Sequence, residues 1–175
     1  MTVCNFEGIE PSIDEQVYLD DSAKVIGNVV IEKKCSIWPM VVIRGDVNSI
    51  YIGEETNIQD GAIVHVTHDG PFTPGGAATH IGERVTIGHQ AMIHACTVRD
   101  ESLIGMGATI LDHAVIESHV MVGAGSLVPA NKVLKSGFLY VGSPVRQVRP
   151  LTEQEIAHIT YSASYYHQLS LRHSR

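Results

Sequence analysis

The sequence predicts an all-β solenoid, a left-handed parallel β-helix of about five triangular coils, with one C-terminal α-helix packed alongside. Three observations lead to this prediction. Branched apolar residues recur every six positions, glycine directly follows several of them, and the last part of the chain changes to a helical spacing. Neither an α-helix nor an alternating hairpin strand has a period of six residues. A short fixed period is typical of a repeat architecture.

Sixteen branched residues follow the six-residue period and are called the anchors here. They are Val25, Ile31, Ile37, Ile43, Ile52, Ile58, Val64, Ile81, Ile87, Ile93, Val98, Ile104, Ile110, Ile116, Val122 and Val128. One inward-pointing branched side chain per hexad describes short strands that wind round a triangular prism, with three hexads to a coil. Sixteen anchors therefore predict about five coils. We expect a glycine or another small residue after an anchor to let the chain turn the corner.

Two interruptions of the period indicate where the solenoid carries something else. Nine residues separate Ile43 from Ile52, and seventeen separate Val64 from Ile81, where a loop rich in Gly and Pro spans residues 67–79. The β-helix, with the segments that lead into and out of it, is assigned to residues 1–150. The C-terminal helix is assigned to residues 151–175.

The C-terminal segment has the start signal and the spacing of a helix. Thr152 and Glu155 form a capping box. Four apolar residues then fall on one helical stripe: Ile156, Ile159, Ala163 and Tyr166. We expect this stripe to pack along the outside of the prism.

Composition and charge exclude several classes of function. The 175 residues carry 12 Lys and Arg against 19 Asp and Glu, a net charge of −7. This acidic balance gives no attraction for nucleic acid or anionic lipid.

No apolar run approaches the roughly eighteen residues that cross a bilayer, and no secretion signal is visible, which predicts a cytoplasmic protein. Three cysteines without CxxC spacing argue against a disulfide framework and a thiolate zinc site.

Two histidines occupy equivalent places in successive coils. His65 directly follows the anchor Val64, and His94 directly follows the anchor Ile93, three hexads later. One full coil therefore separates them, and the two rings should stack on the same edge of the prism about 4.8 Å apart. Two imidazoles at that separation can share one metal ion.

A third histidine lies on another edge. His89 follows the anchor Ile87 by two places and points away from the pair within one chain. If three prisms pack about a threefold axis, its edge faces the His65 and His94 edge of the next subunit. Three neutral imidazoles with a fourth position open to water are typical of a catalytic zinc site. His113 and His119 lie one hexad apart and are not expected to converge.

The same counting places four other polar residues near these histidines. Arg44 lies one coil before His65 on the same edge, and Asp60 lies one coil before His89. Gln59 offers a side-chain amide for a metal-bound water. An intersubunit salt bridge is an equal alternative to a chemical role for Arg44 and Asp46. A cap on a corner turn is an equal alternative for Asp60.

Three motifs contain the candidate residues: RGD at residues 44–46, NIQDG at residues 57–61 and IGHQAMIHAC at residues 87–96. Together they resemble the γ-class carbonic anhydrases and their hexapeptide-repeat relatives of the bacterial YrdA type. The resemblance runs from about residue 8 to residue 169. The histidine triplet together with NIQD is specific, whereas the hexapeptide repeat alone is shared with acyltransferases.

This resemblance implies a homotrimer with three metal sites at its interfaces. One subunit would supply His65 and His94, and its neighbour would supply His89. The implied cofactor is Zn²⁺, with Fe²⁺ or Co²⁺ as alternatives within the family. The implied reaction is the reversible hydration of CO2 to bicarbonate by a metal-bound hydroxide.

The resemblance also implies roles for the four polar residues. Gln59 would contact the metal-bound water or hydroxide, Arg44 and Asp46 would form an interface pair, and Asp60 would lie behind the ligands. Val47 and His68 stand where archaeal members have glutamates, which leaves the proton shuttle and the rate open. His68 as a substitute shuttle and His68 as a solvated loop residue are equal alternatives. Tyr166 is implied to reach the site.

Two other functions stay open at this point. A hexapeptide-repeat acyltransferase would use one catalytic histidine and coenzyme A, but such enzymes do not need three converging imidazoles. A metal-stabilised trimeric scaffold without activity would be expected to fill all four metal positions with protein ligands, and no fourth ligand is found. The physiological substrate also stays open.

Overall fold

The computed structural model describes residues 2–173, which form a parallel β-solenoid with one C-terminal helix. The solenoid has the left-handed β-helix fold of hexapeptide-repeat proteins, and the predicted fold class is confirmed. No helix in residues 2–173 is long and apolar enough to cross a membrane.

Short strands make up almost all of the regular structure. In chain order they are β1 (Val3–Cys4), β2 (Ser12–Ile13), β3 (Tyr18–Leu19), β4 (Lys24–Ile31), β5 (Ser36–Ile37), β6 (Val42–Ile52), β7 (Asn57–Ile58), β8 (Ile63–His65), β9 (Thr79–Ile81), β10 (Thr86–Ile87), β11 (Met92–His94), β12 (Thr97–Val98), β13 (Leu103–Ile104), β14 (Thr109–Ile110), β15 (Val115–Ile116), β16 (Met121–Val122), β17 (Leu127–Val128), β18 (Val133–Leu134), β19 (Phe138–Gly142) and β20 (Val145–Pro150). The helix α1 (Glu153–His173) follows.

The strands form the three faces of a prism. The first face holds β3, β5, β7, β10, β13, β16 and β19, paired in parallel in that order. The second face holds the first half of β6 with β8, β11, β14 and β17, and the third holds the second half of β6 with β9, β12, β15 and β18. β20 returns antiparallel to β19 at the C-terminal end.

The anchors form the core. All sixteen are at most 1% exposed, and each pairs with an anchor of a neighbouring coil. Strand pairing continues beyond the first and last anchors, at both ends of the prism. Ile13 and Leu19 precede them, and Leu134 and Tyr140 follow them. The prism is therefore longer than the anchors alone indicate.

The corners correct one expectation of the sequence analysis. Glycines that follow anchors, such as Gly88 and Gly105, do not have a positive φ. The left-handed conformation falls instead on the corner residue three places after an anchor. That residue is a glycine at Gly61, Gly107 and Gly125, but it is not a glycine at Lys34, Met40, Glu55, Arg84, Gln90, His113 and His119. A Cβ on Gly88 would lie 2.8 Å from the carbonyl oxygen of Ile104. Glycine is needed there because successive coils approach too closely for a side chain.

Additional structure is present at both interruptions of the six-residue period, as expected. In β6 the register shifts so that Ile43 pairs with Val25 but Ile50 pairs with Val29, which leaves an irregular stretch at residues 46–49. Such a bulge redirects side chains at the edge of a sheet. The longer insertion is a loop between β8 and β9, closed by backbone bridges between Thr67 and Ala77.

Helix α1 packs on the first face, as expected. The predicted capping box is present: Thr152 Oγ1 accepts a bond of 3.2 Å from the backbone N–H of Glu155, and the backbone N–H of Thr152 donates to the Glu155 carboxylate at 2.9 Å. The expected stripe is wrong at Ile156, which is 37% exposed. The buried positions are Ile159, Ser162, Ala163 and Ser170. Ser162 bonds to Thr86 of the sheet at 3.0 Å, so the buried side of the helix includes a polar position that apolar spacing does not reveal.

The anchor columns generate a stability prediction. Val122→Ala removes two methyl groups from a fully buried position and should lower the free energy of unfolding by about 2 kcal/mol or more, from the lost transfer energy and the cavity. Val148→Ala, the same change at a side chain that is 54% exposed, is the matched control and should change it by about 0.5 kcal/mol or less. Urea unfolding at one protein concentration measures both. Equal effects would contradict the packing described.

The capping box generates a prediction about pH. The Arg149 guanidinium, with the backbone N–H of Thr152, lowers the pKa of Glu155 to about 2 from an ordinary value of 4.5. The charged carboxylate therefore stabilises the fold fully above pH 4.5, and this contribution is lost as the pH falls towards 2. Glu155→Gln keeps the cap but removes the ion pair.

We expect the Tm of Glu155→Gln to lie below that of the unsubstituted protein at neutral pH, with the difference narrowing below pH 4.5. Thermal unfolding from neutral to acidic pH measures this difference. Glu153→Gln, in the same helical turn but outside the capping box, controls for the loss of one negative charge. A difference that stays constant across the acidic range would contradict the prediction.

Candidate metal centre

The predicted histidine pair is present on the edge between the second and third faces, called the pair edge here. β8 and β11 are parallel neighbours, and their register places His94 directly beside His65. The ring centroids are 5.2 Å apart, and His65 Nδ1 lies 3.3 Å from His94 Nε2. The column count therefore predicted the adjacency of the two rings correctly.

The outer nitrogen of each ring bonds to a carboxylate. His65 Nε2 lies 3.0 Å from Asp46 Oδ1, and His94 Nδ1 lies 2.7 Å from Asp112 Oδ1. Each carboxylate has a second partner, since Arg44 donates to Asp46 and the Thr67 hydroxyl donates to Asp112. The ion pair of Arg44 and Asp46 forms within one chain.

The hydrogen bonds keep both carboxylates ionised. Burial acts to raise the pKa of Asp46, but the bonds from His65 and Arg44 outweigh it and hold the pKa below its ordinary value. Burial likewise opposes ionisation of Asp112, and the bonds from Thr67 and His94 lower its pKa. Two negative charges therefore lie behind the two imidazoles.

This arrangement fits a cation. When each imidazole donates its N–H to its carboxylate, the other nitrogen of each ring carries a lone pair. These are His65 Nδ1 and His94 Nε2, the two atoms that face each other at 3.3 Å. Two lone pairs directed at one space repel each other unless a proton or a metal ion lies between them. Carboxylates that hold the far nitrogen of a ligand histidine are the usual support of metal sites.

His89 lies on the edge between the first and second faces, called the His89 edge here, because it stands between β10 and β11. Its Nδ1 is 2.9 Å from Asp60 Oδ2, so this imidazole also has a carboxylate on one nitrogen. The pairing of β7 with β10 places Asp60 one coil before His89, as the column count predicts. His119 Nδ1 also lies 3.3 Å from Glu101, so a histidine–carboxylate pair also occurs outside the predicted ligand set.

Gln59 is 5% exposed and its amide is held in a buried network. Gln59 Nε2 donates to Asn57 Oδ1 at 3.1 Å, and Asn57 Nδ2 donates to Thr86 Oγ1 at 2.9 Å. Thr86 in turn bonds to Ser162 of α1. The helix therefore contributes to the orientation of the Gln59 amide through two intervening side chains.

The predicted site residues form two separate clusters in one chain. Arg44, Asp46, His65 and His94 lie together on the pair edge, and Gln59, Asp60 and His89 lie together on the His89 edge. Within residues 2–173 of a single chain, no group of three His, Cys, Asp or Glu side chains is arranged to hold a metal ion. Burial raises the pKa of both Cys35 and Cys96 to about 12, so neither is a thiolate near neutral pH.

A groove runs from the His89 edge between α1 and the first face. It encloses about 350 Å³, with Gln59 and His89 among the residues that line it. Tyr166 lines the same groove and packs edge-on against Trp38 with ring centroids 5.5 Å apart. Burial, with a smaller effect of the Asp60 charge, raises the pKa of Tyr166. His68 is exposed in the loop after β8.

Comparison with known proteins identifies the family. The chain is 52% identical over 161 residues to protein YrdA of Escherichia coli, which covers 92% of this chain and 88% of YrdA. It is 46% identical over 176 residues to the mitochondrial gamma carbonic anhydrase 2 of Arabidopsis thaliana, covering 99% of this chain and 62% of that longer protein. A scan against protein-family models found no match. The chain belongs to the family of YrdA and the gamma carbonic anhydrases.

A solved structure supports the same fold. The hexapeptide transferase family protein of Anaplasma phagocytophilum superposes with a TM-score of 0.90 at 41% identity, over 97% of this chain and 96% of that one. The family therefore includes proteins named as carbonic anhydrases and proteins named as transferases. Because the Arabidopsis relative is named mitochondrial, the cytoplasmic location stays a prediction.

Sequence reasoning missed two residues of the candidate centre in this carbonic anhydrase-like chain. Asp112 lies two residues after the anchor Ile110, which pairs with Ile93, whereas His94 lies one residue after its anchor, so the count that placed His94 leads to Leu111 and not to Asp112. Asn57 lies inside the NIQDG motif, but its bond to Gln59 depends on side-chain directions that spacing does not reveal.

The carboxylate behind His94 generates a prediction. Asp112→Asn should lower the affinity for zinc about 10-fold to 100-fold, because the amide no longer holds the Nδ1–H of His94 with a full charge. Asp21→Asn, at an exposed corner, should leave the affinity unchanged. Competition with a zinc chelator measures both, and circular dichroism verifies the fold. Equal affinities for the two variants would show that Asp112 does not support a ligand.

Proposed function

We propose that this chain is a metal-dependent gamma-class carbonic anhydrase that catalyses the reversible hydration of CO2 to bicarbonate as a homotrimer. The observation that carries the proposal is the carboxylate-held pair of His65 and His94, whose two remaining nitrogens face each other at 3.3 Å. Relatives named gamma carbonic anhydrases, 46% identical to this chain, support the choice of reaction.

Two copies of the chain would hold each metal ion. His65 and His94 of one copy and His89 of the next would be the ligands, and three imidazoles suit Zn²⁺ first, with Fe²⁺ or Co²⁺ as alternatives. When bound, a dipositive ion lowers the pKa of water, so that hydroxide is available near neutral pH to add to CO2.

The other residues of the proposed site would orient the ligand rings and the reactant. Asp46, Asp112 and Asp60 each fix one imidazole ring by accepting its far N–H. Arg44 balances the charge of Asp46 and holds it in place. Gln59 presents an amide with a fixed rotation to the groove, which suits a group that orients a small polar reactant.

The outer surface of the second face supports the assembly. This face lies between the His89 edge and the pair edge, because β11 begins after His89 and ends at His94. Its outward side chains form a column of Val42, Ile63, Met92, Thr109 and Leu127. An apolar column on a partly exposed sheet suits contact with other copies around a threefold axis. Such packing would bring each His89 edge to a neighbouring pair edge.

The residues that would carry a proton away from the proposed site differ from those of the archaeal members. Val47 is 44% exposed and carries no ionisable group, and His68 occupies the other position in an exposed loop. Imidazoles exchange protons near neutral pH in general, so His68 is the residue we assign to this step.

An acyltransferase is the second candidate, favoured by the transferase name of the Anaplasma relative. It would use His89 beside the groove as a base and would need no metal. Turnover of acetyl-CoA by metal-free protein would support it. A trimer that dissociates on chelation and has neither activity would support the scaffold instead.

Paired histidine variants test the proposal. His89→Ala should remove most of the bound zinc and the CO2 hydration activity, because it takes away one of three ligands. His119→Ala is the matched control, since His89 and His119 are 41% and 43% exposed and each pairs with a carboxylate. Elemental analysis and stopped-flow hydration assays measure the two properties. Equal zinc and activity in both variants would overturn the proposal.

Mixed trimers test the division of the site between copies. Trimers assembled at random from equal amounts of His89→Ala chains and His94→Ala chains should regain about a quarter of the sites, because only one of the four kinds of interface combines an intact His65 and His94 pair with an intact His89. Each variant alone should have none. No recovery after mixing and refolding would show that the ligands do not come from two chains.

A further inference from the structure

An exposed aromatic side chain stands beside the pair edge. Phe72 is 98% exposed at the tip of the loop that begins two residues after His65. Single exposed apolar side chains are common on protein surfaces, so the informative feature of Phe72 is its position in the loop and not its exposure alone.

The loop holds Phe72 in a defined place. Thr67 and Ala77 exchange backbone bonds of 2.9 Å at the base, and Gly70 and Thr73 bracket Phe72 with a second bridge. Asp69 Oδ1 accepts the backbone N–H of Gly75 at 2.7 Å. An ordered loop presents its tip side chain with little loss of conformational freedom on binding.

An apolar groove stands beside the other edge. The groove between α1 and the first face has Ile104, Met106 and Ala124 on the solenoid side. Tyr161 and Tyr165, stacked with ring centroids 5.8 Å apart, line the helix side. Met106 and Tyr161 are 58% and 61% exposed, so the groove is open in the single chain. Its volume of about 350 Å³ is ample for one aromatic ring.

The two features are complementary and lie on different edges of one prism. The proposed assembly brings the pair edge of one copy against the His89 edge of the next. His65 is two residues from the start of the loop, and His89 itself lines the groove. In that assembly, the contact that completes the metal ligands would also bring the loop that carries Phe72 towards the neighbour's groove.

We propose that Phe72 of each copy inserts into the groove of the next copy, against Met106, Tyr161 and Tyr165, and closes the outer side of the metal centre. This inference rests on the proposed trimer. Burial removes an exposed ring from water and places it against aromatic partners, which favours association. The occupant of the groove is thus a second copy of this chain.

A crosslink tests the contact directly. Two chains are co-expressed in a Cys4→Ser background, one with Phe72→Cys and the other with Met106→Cys. We expect mild oxidation to give a covalent dimer on non-reducing gels. Phe72→Cys with Val148→Cys, at a residue of similar exposure on β20, is the control pair and should give none.

The outcomes separate this contact from the proposed function. A zinc-loaded trimer without the crosslink, or with equal crosslinking of the control pair, would overturn the contact alone. A monomer by light scattering would overturn the assembly and the contact with it. In a second measurement, Phe72→Ala should raise the dissociation constant of the trimer about tenfold or more, while Phe72→Leu should keep it close to that of the unsubstituted protein. Equal constants for the two variants would contradict the insertion.

Discussion

The register between successive coils is the constraint on which the rest of the structure depends. The anchors point into the prism and stack on one another, and burying each branched side chain contributes roughly 1.5–3 kcal/mol. A slip of one residue would turn every anchor of a strand outward. The same register fixes the outward side chains, and it places His94 on His65 and Asp60 before His89. The anchors therefore position the residues of the candidate site, although no anchor belongs to that site.

The candidate centre uses places where the repeat is broken. Asp46 lies in the irregular stretch of β6, where extra residues bring its carboxylate to His65. Thr67, at the base of the inserted loop, holds Asp112 against His94. A regular corner holds one left-handed residue three places after the anchor and carries no inserted stretch of this kind. Departures from the period thus supply the support that the imidazoles need.

A single prism holds only parts of the site. The pair edge has two imidazoles, the His89 edge has one, and the apolar outer surface of the second face separates them. The first face is covered by α1, which is tied through Ser162, Thr86 and Asn57 to Gln59. In the proposed trimer, the assembly, the helix and the metal centre would therefore be coupled. A change in any one of them is expected to affect the others.

The sequence by itself determined the fold, the columns and the adjacency of His65 and His94, because a strict six-residue period converts position in the chain into position on the prism. It also placed Asp60 beside His89 for the same reason. Only the tertiary structure decided that Asp112 and Asn57 support the site and that Ile156 lies outside the buried stripe. It also decided that Gly88 is needed for close approach of the coils. These features depend on side-chain directions at corners and on clearances between coils, which a one-dimensional period does not contain.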